Sequence, residues 1–507
     1  MEWFGKGVGH LVVAARAGCG KTSTVMKGIE LVSKLGETKI LYAVFNKKNQ
    51  KEAEQKFLNN DNVTIITLNA LALSIIRQHW PEVKTKNDVE GKHIETSMNK
   101  QPLKFNNVVR ALIGENPLKY QREQCRKKIK TMLMSLVRIA KTTILTHNLL
   151  TFREICVTHC IDFRTGVDDA CDLALFSCAL AKQKSDIVSF DDQVWLAVAK
   201  KWSVPTFELI CVDESQDLSL PQYTMIKMLC KPQGRMIFIG DDNQAIYGFR
   251  GNIENCLTYI QDDIKAQILP LSVTYRCPQE IVALASSFVT NYRAAPNAPI
   301  GRITNESVLD IFRLSKPKDV IISRSNAALV KLACDLLQRG KEIIILGKAF
   351  PNRLIAYIHK FKQTSISALL QILKELNKNR KRNNRLEFNN NLKKPKEEDD
   401  DDPLPSIIML AQTCKNDDNV GCLISKIRNL FGMNKGKNKT ENLVTLSTVH
   451  QAKGLEWDRV FLLKDTFRID DDDPEQEEIN LFYVAITRVK DTLYLCKNNE
   501  EDTFSDY

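Results

Sequence analysis

The stretch VVAARAGCGKTST (residues 12–24) carries the first usable chemistry. An apolar run enters a turn with two glycines and leaves it through Lys21 and Thr22. Backbone N–H groups of Ala17, Gly18, Cys19, Gly20 and Lys21 can wrap a β-phosphate, and a helix starting there adds its positive end. Lys21 then reaches the β- and γ-phosphates, and the Thr22 hydroxyl suits Mg2+. Ala15 stands where the standard pattern has its first glycine. A second piece, LICVDESQD (209–217), ends an apolar run in two acids. Asp213 at a strand end can hold Mg2+ through water, and the adjacent Glu214 can polarise an attacking water. A third, FIGDDNQAIYGFRG (238–251), places Gln244 where a neutral amide can sense a γ-phosphate, followed by Tyr247, Phe249 and Arg250. Aromatics beside a basic residue make a stacking platform for unpaired bases.

These groups need a scaffold that brings strand ends together. Short β-rich runs lie at 10–15, 39–45, 62–68, 207–214 and 234–241, with helical patterns between several of them. That alternation predicts an α/β fold, a parallel sheet covered by helices. A second set lies at 268–275, 319–325, 341–347, 441–449, 458–464 and 491–496. Two α/β units are expected, each with an insertion. The first comprises 1–75 and 188–255, interrupted by a helical segment, 76–187. The second comprises 256–350 and 441–507, interrupted by a reduced insertion, 351–440. Inside the latter, NKNRKRNNR (377–385) and KKPKEEDDDDP (393–403) are poor core material and predict a mobile, partly disordered loop. DDDDPEQEE (470–478) reads as a surface loop.

The 507 residues exceed what one core supports. A composition of 43% hydrophobic and 26% charged residues fits a soluble protein, with no membrane-length apolar run and no signal peptide. Fourteen scattered cysteines argue for a reducing, intracellular compartment rather than a disulfide scaffold. The net charge of +11 permits a nucleic-acid partner. Cys156, His159, Cys160, Cys171 and Cys178 fall close together and could hold a metal. Cys156 and Cys160 would share a helical face, and small buried cysteines account for the group without one.

Taken in order, the motifs resemble those of the UvrD/Rep-like superfamily 1 DNA helicases. AGCGKT (17–22), AVFNKK (43–48), TLNALA (67–72), DESQD (213–217), GDDNQAIYGFRG (240–251), LSVTYRCP (271–278), STVHQAKGLEWDRVFL (447–462) and LFYVAITRVK (481–490) follow the family's sequence of motifs. Asn69 replaces a usual His, Thr274 a usual Asn, and Ser23 a frequent Arg that sandwiches adenine. The family's adenine-reading Gln motif would lie upstream of this chain's first residues. The resemblance implies two RecA-like motor domains with ATP and Mg2+ in the cleft between them. It implies that Lys21, Thr22 and Asp213 bind phosphate and Mg2+, that Glu214 is the base, and that Gln244 contacts the γ-phosphate. Arg276 and Arg488 would neutralise the transferring phosphoryl group, Tyr275 would stack on adenine, and Glu456 would meet the ribose. Phe45, Tyr247, Phe249 and His450 would contact DNA. The partners implied are single-stranded DNA and duplex junctions, with RNA open as a track and movement 3′ to 5′. An ATPase that strips proteins from DNA without unwinding and a non-catalytic scaffold are the alternatives.

Overall fold

A computed structural model of the chain describes residues 1–498 apart from 35–37, 46, 58–59, 87–88, 116, 144–146, 249–250, 348, 389–402, 416–417, 433–442 and 470–473. It divides into two units, one of residues 1–16 and 20–271, the other of 17–19 and 272–507.

The first unit is built on β1 (Leu11–Ala15), β2 (Ile40–Val44), β3 (Val63–Thr67), β6 (Phe207–Val212), β7 (Cys230–Gly240) and β8 (Gln267–Leu271). They form one sheet in the order β3-β2-β6-β7-β1-β8, every pair parallel. Alternation splits each strand between two cores. Leu11, Val13, Ile40, Tyr42 and Leu209 pack under the helix Lys21–Ser33 through Val25, Met26 and Ile29. Val12, Leu41, Ala43, Ile210 and Phe238 face the other side, with Leu71, Ile75, Val194 and Ile226. Each fully buried aliphatic side chain of this kind contributes roughly 1.5–3 kcal/mol. Helices on both faces are what all-parallel strands require, because both faces are apolar.

Five helices, Val89–Lys100, Pro102–Ile113, Lys119–Thr143, Leu149–Thr158 and Val167–Ala181, interrupt that sheet. They enclose their own core of Ile94, Phe105, Leu133, Phe152 and Leu173. A short parallel pair, β4 (Lys84–Thr85) with β5 (Ile187–Val188), closes their base. Cys160 does not share a helical face with Cys156, because that helix ends at Thr158 and Cys160 turns to φ 51° in an exposed position. Cys156, Cys171 and Cys178 are buried.

The second unit opens with a two-stranded pair, β9 (Val273–Thr274) with β10 (Arg293–Ala294). Its main sheet joins β11 (Arg302–Ser307), β12 (Val320–Ser323), β13 (Ile343–Ile345), β14 (Val444–Thr448), β15 (Trp457–Leu463) and β16 (Val489–Lys497) in the order β11-β16-β15-β12-β14-β13, again all parallel. Helices Ala349–His359, Ile366–Phe388, Pro403–Gln412 and Val420–Leu430 share one core with this sheet, joining Leu369, Ile407 and Leu423 to Ile321, Val444 and Phe461.

Two further expectations need correcting. The run 268–275 does not open the second unit: Gln267–Leu271 pairs with Leu11–Ala15 and completes the first sheet, so the boundary falls after Leu271 rather than at 255. The basic run 377–385 is helical backbone within Ile366–Phe388, not a loop. Lys and Arg are good helix formers, and the run continues an amphipathic segment whose Leu369 and Leu373 are buried. The loop expected over 393–403 falls almost wholly outside the described residues, as do residues 470–473 of the second acidic run.

Candidate nucleotide and nucleic-acid site

The turn from β1 into the helix Lys21–Ser33 bends at Gly18 (φ 69°) and Gly20 (φ 79°), where a Cβ would be strained. Gly20 caps the helix without a side chain, so no side-chain oxygen competes for its first N–H groups. At the end of β6 the Asp213 carboxylate collects three donors. Thr22 Oγ1 donates to Oδ2 at 3.0 Å, Tyr42 Oη donates to the same oxygen at 3.2 Å, and the Glu214 N–H donates to Oδ1 at 2.9 Å. Asp213 is buried, and burial together with neighbouring Glu214 pushes its carboxyl up to about 6 against the opposing pull of Lys21 and Thr22. Burial and the Asp213 charge likewise push the Tyr42 phenol up. Lys21 Nζ lies 3.5 Å from Glu214 Oε2. Glu214 sits at φ 51°, ψ 44°, a left-handed conformation that a side chain enters at roughly 1–3 kcal/mol and that concentrates at functional sites.

From Glu214 a buried relay runs along the strand ends. Gln216 Nε2 donates to Glu214 Oε2 at 2.6 Å, and Gln216 Oε1 accepts the Asp241 N–H at 3.0 Å. Asp241 in turn accepts Gln244 Nε2 at 2.7 Å and Arg16 Nη1 at 3.1 Å. Gly240 makes this possible, since a Cβ there would stand 2.4 Å from Gln216 Oε1 and 3.0 Å from its backbone nitrogen. Gln244 is thereby tied to Glu214 through two intermediates, Asp241 and Gln216. Sequence reasoning did not single out Tyr42, Gln216, Asp241 or Arg16. A tyrosine in the aliphatic run ILYAV was the one readable signal, because a buried hydroxyl requires a partner.

On the same unit, the Phe45 and Tyr247 rings stack, with centroids 6.2 Å apart and planes 19° from parallel, and Phe45 is 42% exposed. They line a cavity of about 420 Å³ that also reaches Asn69, Phe190, Asp213 and Glu214. Asn69 Nδ2 donates to the Phe190 carbonyl at 3.4 Å and to Gln193 Oε1 at 3.3 Å, tying that wall to the helix Phe190–Ala199. Phe190, 58% exposed at the first position of that helix, was also missed by sequence reasoning. Beneath it lies an ion cluster. Lys141 Nζ, 1% exposed, meets Asp192 Oδ1 at 2.5 Å and Glu90 Oε1 at 3.4 Å. Ser189 caps the helix, its N–H on Asp192 Oδ2 at 3.0 Å and its hydroxyl donating to Glu90 at 2.7 Å. Phe249 and Arg250 lie outside the described residues.

In the second unit, Arg276 Nε donates to Glu456 Oε2 at 2.6 Å, so the carboxylate expected to meet a ribose is engaged by an arginine. Arg488 is 2% exposed; its Nε donates to the Val484 carbonyl at 2.9 Å and its Nη1 to the Leu455 carbonyl at 3.3 Å. Arg276, the segment 455–457 and Arg488 thus form one neighbourhood. Tyr275 is 78% exposed. His450 lies partly exposed on the short helix Val449–Ala452, and Ser23 is exposed on the first turn of its helix.

A phosphate turn, a strand-end acid pair and a twin parallel-sheet architecture define a P-loop motor with RecA-like units. Comparison with known proteins narrows that class. Residues 5–265 match the UvrD/REP helicase N-terminal domain, and residues 352–500 match the UvrD-like helicase C-terminal domain. A probable DNA helicase II homolog from Mycoplasma pneumoniae is 22% identical, over 97% of this chain and 82% of its own length. The ATP-dependent DNA helicase PcrA of Leuconostoc citreum is 26% identical over 56% of this chain and 37% of its own. DNA helicase II of Escherichia coli is 27% identical over 33% of this chain and 25% of its own. The chain belongs to the UvrD/Rep-like superfamily 1 DNA helicases, a family of ATP-dependent enzymes.

Proposed function

We propose that this ATP-dependent DNA helicase translocates on single-stranded DNA, 3′ to 5′, and opens duplexes at junctions. The observation that carries the reading is the meeting of Thr22 with Asp213 and of Lys21 with Glu214, on a unit that also bears the Phe45–Tyr247 platform. The two ligands proposed there, the Asp213 carboxylate and the Thr22 hydroxyl, are hard oxygens and suit Mg2+. Asp213 and Thr22 would hold that ion, which when bound would neutralise charge on the phosphate oxygens. Lys21 would bind the β- and γ-phosphates, helped by the backbone N–H groups of residues 17–21. Glu214 would accept a proton from the attacking water, and Gln244, through Asp241 and Gln216, would carry γ-phosphate contact to that base. Phe45 and Tyr247 would stack on bases. The roles assigned to Tyr275, Arg276, Glu456, Arg488 and His450 rest on their motif positions, as does the direction of movement.

The test is ATP turnover with and without single-stranded DNA and RNA, on wild type and Glu214→Gln. The reading expects DNA stimulation, and a loss of about 10²–10⁴ in turnover for the variant with nucleotide binding retained. Turnover that survives the substitution would move the base elsewhere. A strand-separation assay alongside separates unwinding from protein displacement without unwinding.

A further inference from the structure

Strand β2 carries one polar side chain, Tyr42, in the run Ile40-Leu41-Tyr42-Ala43-Val44, buried throughout. The pleat puts it on the face beneath the helix Lys21–Ser33, among Val25, Met26 and Ile29. Pairing sets it opposite Cys211, two residues before Asp213 on the neighbouring strand. Phe or Leu would fill this space as well. A hydroxyl here must find an acceptor, and the one it finds is Asp213 Oδ2 at 3.2 Å, the oxygen Thr22 reaches at 3.0 Å.

We propose that Tyr42 is a positioning residue for the divalent-cation site, its hydroxyl fixing the orientation of the Asp213 carboxylate. The proposal rests on the reading above, in which Asp213 and Thr22 hold Mg2+. Three features carry it. Tyr42 projects from the interior of a paired strand, whereas Thr22 stands on the first turn of a helix, so the tyrosine is the stiffer anchor. A phenol is a neutral donor at working pH and adds no positive charge to repel a cation, unlike Lys21. An ionised carboxylate offers about four lone-pair sites, and Thr22, Tyr42 and the Glu214 N–H occupy three, which leaves one for a metal or its water. Donors of this kind to a ligating carboxylate set its direction, and removing one typically lowers metal affinity about 10–100-fold.

The test is a Mn2+ titration followed by electron paramagnetic resonance, on the full chain with ADP present so that no turnover intervenes. Tyr42→Phe keeps the ring and its packing. It should weaken Mn2+ binding at least about tenfold, while metal-free binding of a fluorescent ADP in EDTA is unchanged. In an Asp213→Asn background the same substitution should change Mn2+ binding no further, which a merely structural hydroxyl would not produce. Equal Mn2+ affinity in wild type and Tyr42→Phe, or additive losses in the double variant, overturns the proposal. Unchanged Mn2+ affinity in Asp213→Asn alone overturns the metal-site reading instead. The cycle is read on folded protein at low temperature, so a lowered melting point in Tyr42→Phe leaves it decisive.

Discussion

Replacing Lys141 with Met tests whether the ion cluster under the Phe45–Tyr247 cavity is structural. Met keeps the length and most of the volume of the stem, so the change removes charge rather than packing. It leaves Asp192 and Glu90, both nearly inaccessible, without the ammonium at 2.5 and 3.4 Å. Deleting one partner of a buried pair typically costs about 3–5 kcal/mol. Here the Ser189 N–H and hydroxyl still serve the two acids, which argues for the lower end, about 3 kcal/mol. At roughly 2–4 °C per kcal/mol for a unit of this size, the melting temperature falls by about 6–12 °C. The pH dependence is specific. Burial works against charge on Asp192, but Lys141 and Ser189 outweigh it and hold the carboxyl below its ordinary value. Burial also works against charge on Lys141, and Asp192 outweighs it, so the ammonium titrates above its ordinary value. A lowered acid contributes above its unfolded pKa and loses that contribution as pH falls through its folded one; a raised base contributes below its unfolded pKa. The cluster therefore acts fully between about pH 4 and pH 10. The gap between wild type and Lys141→Met should be flat near neutrality and close toward acid. Urea unfolding followed by tryptophan fluorescence reads it directly, since Trp195 lies 5.3 Å from Lys141 Nζ. A loss under about 1 kcal/mol, the range of a surface pair, or a gap that widens below pH 4, would refute the reasoning. The triple variant Lys141→Met, Glu90→Gln, Asp192→Asn should recover more than half of the loss, because no charge is then left unpaired.

Three further outcomes are expected. Gly240→Ala forces a Cβ against Gln216 and should break the Glu214–Gln216–Asp241 relay, lowering ATP turnover by at least about tenfold, the effect of 1.4 kcal/mol on a barrier, with little change in nucleotide affinity. Tyr247→Ala should raise the single-stranded DNA concentration for half-maximal ATPase stimulation by about 5–150-fold, the equivalent of 1–3 kcal/mol for one lost stack; fluorescence anisotropy checks it. Asp213, pushed up to about 6, opposes folding once charged, a cost absent below about pH 4 and complete above about pH 6. Asp213→Asn should accordingly raise the melting temperature of the nucleotide-free chain at pH 8 and leave it unchanged at pH 4.

What the sequence discloses follows from where its pattern is strong. Buried parallel strands such as ILYAV and FELICV are continuous apolar runs and stand out, as do the strand-end motifs they present. Edge strands vary: β3 and β13 keep apolar runs and stand out at 62–68 and 341–347, whereas the other two edges are harder to place. Gln267–Leu271 is legible as a β run, at 268–275, but not as the last strand of the first sheet; it contains Pro270, tolerated because β8 has a partner on one side only. Arg302–Ser307, RITNES, is polar for the same reason and gives no strand signal at all. The site divides likewise. Lys21, Thr22, Asp213 and Glu214 were legible from local spacing, and their contacts follow. The Tyr42–Asp213 bond joins residues 171 positions apart, and the Lys141–Asp192 pair spans 51; neither has a local signature. The engagement of Glu456 by Arg276, 180 positions away, is equally non-local.

The backbone at Glu214 has one more implication. A glycine at φ 51° would relax where glutamate is strained, and asparagine would be nearly as comfortable. Any campaign that selects this gene for heat resistance alone would therefore favour exchanging the carboxylate proposed above as the base and, on that proposal, would harvest robust but inert clones. On the proposed role of Glu214, durability and catalysis pull in opposite directions at this single pair of dihedral angles.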